Sequence, residues 1–404
     1  MSSHGPARRP RHATTAMGHP VLRTFLAVVA GAVGFAVVLG FSYGQQLQSR
    51  LDANSKDISS LLGPASTDDS SPVPSVTEDT TPTDAAEGKA LNILLIGSDT
   101  RGGDNADVVA DDVEGMRSDT TLVMHISADR TRVEFLSIPR DSRVAISDCN
   151  MFDGSVVKGW TAKFNTAFAN GGQHGDASEA AACTMKTITD LTGLTFDHYA
   201  VVDFAGFRTM IDAVGGVPMC IEERVRSKKS HLSLQAGPRV LDGKTALAWA
   251  RARTGIGLGD GTDLMRIDRQ HELLENLARK SLGLNLLTDA GAATLLIRSA
   301  AESMTMDTDL ASVTYLLGLA YSMRNIDTDK IVFETVPWMY PGDKSGDVVW
   351  KDSAIWKFKR LSNDQPLVDE ESTDAPTPDA SSDPSATATP QRETEKDILA
   401  ECEV

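Results

Sequence analysis

The sequence lacks most of the signatures that fix an enzyme class at a glance. It has no His-Glu-x-x-His run, no Cys-x-x-Cys pair and no histidine at metal-ligand spacing from a cysteine, which argues against a zinc centre. Neither Gly102-Gly103 nor the glycines from Gly255 to Gly261 lead into Gly-Lys-Ser/Thr, so a nucleotide-hydrolase phosphate loop is missing. Positive charge is scarce: 39 Lys and Arg stand against 56 Asp and Glu, a net charge of −17. With no basic helix outside a short N-terminal arm, nucleic acid is not the partner. His125, His174, His198, His231 and His271 have no partner spacing and read as structural side chains.

The charge that is present is sorted along the chain. Residues 1–23 hold Arg8, Arg9, Arg11 and Arg23 with no acidic residue, and residues 24–41 are an uncharged run of small and large apolar side chains. A run of about eighteen residues just spans a bilayer as a helix. A cleaved signal peptide shares the charge order, but its apolar core is shorter, and Ser42-Tyr43-Gly44 is a weak small-x-small exit. A retained transmembrane helix over 24–44 is therefore expected, with 1–23 cytoplasmic and the rest outside, a single-pass protein of the cell membrane. Residues 45–88 read as a juxtamembrane segment and a Pro/Ser/Thr/Asp spacer, and 363–404 as an acidic, Pro/Thr-rich tail, mostly disordered.

Between them, 89–362 can bury one sizeable core. Asn92–Gly97, Thr120–Ile126 and Arg132–Ile138 read as buried strands. Asn165–Ala169 and Ala177–Leu191 look helical, the second stopped by Gly193. Tyr199–Phe204 is a strand, Ala205–Val214 a helix closed by Gly215-Gly216, and Val217–Ile221 a strand. The helices Gly243–Ala250 and Leu310–Met323 and the strand Ile331–Val336 follow. This alternation predicts an α/β sandwich around a buried sheet.

The chemistry concentrates in Arg251–Gln270. Arg251 and Arg253 are two apart and share a side on extended backbone. The glycines at 255, 257, 259 and 261 force a turn, and Thr262 is a suitable cap for the next helix. On that helix Leu264, Ile267, Leu274 and Ala278 form an apolar stripe, with Asp263, Arg266 and Gln270 beside it. Guanidinium groups at a helix start suit phosphate oxygens; the plain alternative is a solvated helix with ion pairs such as Asp263 with Arg266. Three more clusters fall at strand ends, where α/β proteins place ligands. They are Ile96 to Arg101 with Asp99, Arg117-Ser118-Asp119-Thr120, and Ser137 to Ser142 with Arg140. Two carboxylates at a sheet edge suit Mg²⁺ and a phosphate substrate, although isolated Asp residues more often cap turns. Lys163 is a further cation before Phe164-Asn165.

Together these segments resemble the LytR-CpsA-Psr family. The resemblance rests on Ile96–Arg101, Arg117–Thr120, Ser137–Ser142, Lys163–Phe168, Asp197–Tyr199, Val202–Phe207, Val214–Val217 and Arg251–Arg253, in family order over nearly all of 89–285. The cysteines are similar to its actinobacterial branch. The resemblance implies an αβα sandwich around a central mixed β-sheet behind one transmembrane helix. It implies a phosphotransferase that moves a glycan from a polyprenyl-pyrophosphate carrier in the membrane to a peptidoglycan acceptor. By position, Asp99 and Asp119 match its Mg²⁺-associated carboxylates (Mn²⁺ is the substitute ion). Arg140, Arg251, Arg253, Arg266 and Gln270 match pyrophosphate-binding positions, with Lys163 and Asp263 in the matching stretches. A lipid needs an apolar groove, which the helix Leu310–Met323 or the wall behind Ile267 and Leu274 would supply. The competing class is a carrier or scaffold that binds the same lipid and transfers nothing. Two features depart from the pattern: an acidic insert from Gly102 to Gly115, and no evident counterpart in 363–404 of a second C-terminal domain.

Outside the cytoplasm the four cysteines are expected to pair, and three pairings are possible. Cys149 with Cys183 would close the loop 150–182 that carries Lys163, leaving Cys220 for Cys402, which would pin the tail to the body.

Overall fold

The computed structural model describes residues 42, 44–63, 82–99, 115–259, 263–283, 298–299, 301, 303–343, 345–368 and 395–402. The apolar run 24–41, most of the insert after Gly102, Thr262 and residues 369–394 lie outside them. Among the described residues no helix is long and apolar enough to cross a membrane. The chain divides into Met1–Leu47 and a body, Gln48–Val404. In the first unit the described residues are helical.

The body is mixed α/β, built on a central mixed sheet. Its strands are β1 (Leu91–Ser98), β2 (Ser118–Ile126), β3 (Val133–Ser137) and β4 (His198–Asp203), with β5 (Val217–Ile221) and β6 (Gly237–Leu241) forming a separate pair. β7 (Met304–Met306) and β8 (Ile331–Thr335) complete the sheet, in the order β7-β4-β1-β2-β3-β8. β1 is central, parallel to β4 and antiparallel to β2; β3 is antiparallel to β2 and parallel to β8. Its apolar run fits that place, because a strand covered on both faces cannot alternate with polar residues. The helices are α1 (Thr166–Gly171), α2 (Ala177–Thr192), α3 (Phe204–Ala213), α4 (Gly243–Arg251) and α5 (Asp263–Gly283), then α6 (Val313–Ser322), α7 (Ala354–Ser362) and α8 (Glu395–Ala400).

Leu94 and Ile96 of β1, with Val123 and Leu136, share a core with Phe168 of α1 and Ala181, Met185 and Ile188 of α2. Leu95, Leu122 and Val202 line a cavity whose other walls come from α3, α4 and α5, as the two-residue period of a strand requires. Aspartates start three of these helices: Asp176, Asp203 and Asp242 each accept a hydrogen bond from a first-turn backbone N–H. Gly216 is held at φ +88, and a Cβ there would meet the Leu241 carbonyl oxygen at 2.8 Å. β5 can therefore turn tightly out of α3 and pair with β6.

The flanks differ from expectation. Leu51, Ile58 and Leu61 are at most 4% exposed, so 48–63 packs on the body. Asp84 and Arg130 form a buried pair at 2.8 Å, and Arg130 also donates to the Lys89 and Ser127 carbonyls. At the other end the packing runs past 362: Leu367 is buried, and Asp364 contacts His125 and Arg132. α8 is also held against the body, by Lys280 with Glu395, Arg279 with Glu401, and a disulfide from Cys220 to Cys402. The second disulfide joins Cys149 to Cys183. Both pairings match the expected scheme. The composition of 363–404 predicts a mostly disordered tail with Cys402 tying down its end; that end is held by the cross-link, the two ion pairs and the buried side chain of Ile398.

Candidate active site

β1, β3, β4 and β8 run one way and β2 the other. The C-terminal ends of four strands and the start of β2 therefore meet at one edge, which gathers Asp99, Asp119, Arg140 and Asp203. A bulge sharpens the arrangement. Thr120 pairs with Gly97 and Ser118 with Ser98, leaving Asp119 as the extra residue between them.

The Asp119 carboxylate meets Arg140 Nη1 and lies 3.7 Å from Arg266 Nη1, while Arg266 Nη2 donates to the Asp119 carbonyl at 3.0 Å. Burial alone would raise the Asp119 carboxyl. The charges of Arg266, Arg140 and Arg253, with the hydrogen bond from Arg140, outweigh it and hold the group below the ordinary carboxylate value. Three guanidinium groups thus converge on the one carboxylate of Asp119. From Arg140 the charges continue outward: Asp141 lies 3.8 Å from Arg140 Nε and accepts Lys163 Nζ at 2.7 Å, and Asp347 lies 3.5 Å from the same ammonium.

Below the guanidinium groups is a cavity of about 280 Å³. Asp119, Arg251, Arg266 and Gln270 stand on its wall, and Leu95, Leu122, Phe207, Leu273, Leu274 and Leu277 make much of its apolar lining. Arg251 lies over the Phe204 ring, 4.5 Å from its centroid. Two expectations are corrected here. Of the two walls expected, α5 lines the cavity through Leu274, with Leu273 and Leu277 and without Ile267, whereas the helix expected at Leu310–Met323, seen as α6, contributes nothing to it. Arg251 and Arg253 are not neighbours on a strand: α4 runs through Arg251 and extended backbone begins at Ala252. Arg251 faces the cavity while the charge of Arg253 acts on Asp119.

Gln270 lines the cavity, yet both ends of its amide are engaged, accepting from Thr120 Oγ1 at 3.1 Å and donating to the Ala250 carbonyl at 3.0 Å. Beside it Arg269, 9% exposed, donates to the carbonyls of Ala252 and Leu258. Together they fasten the Arg251–Arg253 segment to α5. Arg269 is the positioning residue that the sequence reading passed over; its signal was its place one turn from Arg266 on the same helix. Asp99 accepts from the Arg117 backbone N–H at 2.9 Å. The side chain of Asp263 lies outside the described residues.

Next along α5, His271 hydrogen-bonds Ser137 at 2.7 Å and burial pushes it down to about 4. Burial, with Glu222 and Glu275 adding, pushes Glu272 up to about 7. A carboxyl raised in the folded state contributes stability that is full below about 4.5 and is lost as pH rises through 7. The Glu272→Gln protein is therefore expected to gain urea midpoint over the wild type at pH 8 and to match it below about pH 4. Equal midpoints at both would mean that Glu272 is not held in its neutral form.

The model of the LytR_cpsA_psr family matches residues 60–365. The chain is 27% identical over 82% of its length to the cell wall biosynthesis protein LcpA of Corynebacterium glutamicum, covering 62% of that protein. It is 35% identical over 64% of its length to that organism's probable cell wall biosynthesis protein LcpB, covering 57%. A polyisoprenyl-teichoic acid–peptidoglycan teichoic acid transferase, TagU of Halalkalibacterium halodurans, is 30% identical over 54% of the chain and is covered to 62%. The chain thus spans about three fifths of the length of these relatives. Among solved structures, B. subtilis TagV aligns with a TM-score of 0.52 at 24% identity, over 69% of this chain and 98% of that one. Protein gbs0355 of Streptococcus agalactiae aligns at 0.53 and 19%, over 68% and 88%. These two likenesses concern the fold. With the family model covering the sheet, the arginine edge and the cavity in one match, the chain belongs to the LytR_cpsA_psr family.

Proposed function

We propose that this protein is a membrane-anchored phosphotransferase that moves a glycopolymer from a polyprenyl-pyrophosphate carrier to peptidoglycan. In this reading the body is an αβα sandwich outside the cytoplasm, behind one membrane-spanning helix over 24–44. One observation carries it: an apolar cavity of about 280 Å³ that ends at a cluster of guanidinium groups. That pairing of chemistries suits a ligand that is a hydrocarbon chain at one end and a diphosphate at the next. The names of the relatives, cell wall biosynthesis proteins and a polyisoprenyl-linked teichoic acid transferase, agree with it.

The polyprenyl chain enters the cavity between α5 and the sheet, and Arg140, Arg251, Arg253 and Arg266 bind the diphosphate. A peptidoglycan hydroxyl oxygen attacks the sugar-linked phosphorus, and the P–O bond to polyprenyl phosphate breaks. The hydroxyl proton passes to water, and the products are a glycan–peptidoglycan phosphodiester and polyprenyl phosphate. Guanidinium groups fixed before the reaction stabilise the charge that grows on the departing phosphate. Arg269 and Gln270 act by holding that array still.

Mg²⁺ is proposed as the cofactor. Among the described residues no three His, Cys, Asp or Glu side chains form a cage for a metal. Mg²⁺ does not require one, since it is commonly held by one or two carboxylates, waters and substrate phosphates. Asp99, just past the end of β1, and Asp119, at the start of β2, stand at the same edge and fit that pattern, and the ion would supply charge neutralisation. The test is to incubate the full-length protein with a polyprenyl-pyrophosphate glycan and peptidoglycan and to measure glycan on the wall. Transfer is expected with Mg²⁺, and EDTA is expected to stop it. Donor binding without transfer at any Mg²⁺ concentration would favour a carrier; full transfer in EDTA would leave both carboxylates with hydrogen-bonding roles only.

A further inference from the structure

Beyond Arg140 the edge ends in a feature that the reading above leaves unused. After β8 the chain forms a small hairpin in which Trp338 and Met339 pair with Trp350 and Val349. Met339 and Tyr340 are 49% and 57% exposed, and the Tyr340 ring stands edge-on to Trp338, centroids 5.1 Å apart. The hairpin is tied to the segment that follows Arg140. Val348 N donates to the Asp141 carbonyl at 3.1 Å, Arg143 N to the Val348 carbonyl at 2.8 Å, and Trp350 Nε1 to Ser142 Oγ at 3.0 Å. Polar side chains border it: Arg143 binds Asp343 and Asp347, and Lys163 lies between Asp141 and Asp347.

We infer that the Trp338–Tyr340 hairpin is the acceptor subsite, a stacking platform for a sugar ring of the peptidoglycan glycan strand. This rests on the transfer reaction proposed above. The geometry of displacement at phosphorus carries it. Attacking and leaving oxygens lie roughly in line, so the acceptor must approach from the side away from the departing lipid phosphate. The cavity lies under β4, β1 and β2, while the hairpin leaves β8 at the opposite end of the strand order. With strands about 4.8 Å apart, β8 lies roughly 10 Å beyond β2 and Asp119, about the reach of one or two sugar rings. The exposed Tyr340 ring beside the half-buried Trp338, bordered by carboxylates, an ammonium and a guanidinium, matches a pyranose, which offers C–H faces to rings and hydroxyls to charged groups. A bilayer surface is the other surface that gathers Trp and Tyr. Asp141, Asp343 and Asp347 beside the rings oppose an anionic headgroup layer but accept hydrogen bonds from a neutral sugar.

Calorimetry of the full-length protein with soluble, uncrosslinked peptidoglycan glycan strands tests this directly, alongside transfer kinetics. Tyr340→Ala and Trp338→Ala are each expected to weaken strand binding about tenfold and to raise the acceptor KM by the same factor. Tyr340→Phe, which keeps the ring, should restore most of the binding. Donor affinity and kcat at saturating acceptor should stay at wild-type values. Unchanged strand binding in the alanine variants overturns the subsite, as does a wild type that binds no strand. A loss confined to donor affinity assigns the rings to the donor glycan instead, and a loss confined to anionic vesicles assigns them to the membrane. Tight strand binding by a wild type that transfers nothing would sink the transferase reading and leave the subsite standing.

Discussion

Replacing Arg140 with alanine is expected to slow glycan transfer ten- to a hundredfold while leaving the protein folded. Arg140 is the guanidinium on which both sides of the edge depend. It meets the Asp119 carboxylate on the cavity side and approaches Asp141, which binds Lys163, on the outer side. In the proposed site, removing it takes away a charge-assisted contact to phosphate, worth roughly 1.5–3 kcal/mol. It also leaves Asp119 with fewer compensating charges close to the proposed diphosphate site. Arg140→Lys keeps the charge and loses the fork, so it should recover only part of the rate. The side chain is 20% exposed, and its removal opens no apolar core, so the urea midpoint should move little. Initial rates at saturating acceptor decide the matter. A wild-type rate in Arg140→Ala would mean that the phosphates are bound elsewhere along the edge.

How far this site was legible in the sequence follows from how local each signal is. The strands Asn92–Gly97, Thr120–Ile126 and Tyr199–Phe204 appear within a residue or two of their expected ends, because strands buried on both faces declare themselves as apolar runs. β6 was invisible for the opposite reason: Pro238, Arg239 and Val240 are all exposed. The packed segment 48–63 was also missed, since Leu51, Ile58 and Leu61 are spread through polar sequence and their burial depends on the partner they meet. Within the site, Asp119 and Arg266 were readable from strand-end position and helix spacing. Lys163 is visible as a cation, but its pairing is not, because one of the two aspartates that engage it, Asp347, belongs to a loop 184 residues further on. The cavity was half legible: Leu274 lines it as expected, but which turn of α5 faces the sheet depends on where Arg269 and Gln270 fasten the helix. The aromatic hairpin has no sequence signal at all. Its meaning comes from β8 ending beside β3, and only the sheet order supplies that.

Removing the Cys220–Cys402 bridge by a double Cys→Ser change should cost more stability than removing Cys149–Cys183, and neither should change the chemistry directly. The bridges join residues 182 and 34 positions apart. Restricting the unfolded chain over loops of that size is worth roughly 5 and 4 kcal/mol in the chain-entropy relation. Access separates them as well. Cys149 and Cys183 are 1% exposed, whereas Cys220 and Cys402 are only partly buried, so a mild thiol reductant should open the second pair first. That release would free α8 and loosen Lys280 from Glu395 and Arg279 from Glu401. Those contacts grip α5 near its C-terminal end, fourteen residues or roughly 21 Å from Arg266. The Cys220→Ser/Cys402→Ser protein should therefore lose urea midpoint and expose its tail to protease, yet keep its transfer rate at temperatures where it is folded. Peptide mapping under graded reduction, alongside urea titration and a rate measurement, checks each part. An unchanged midpoint would mean that the ion pairs and packing of α8 hold the tail without the bridge. A lost rate in folded protein would mean that the C-terminal end of α5 controls where its arginines sit.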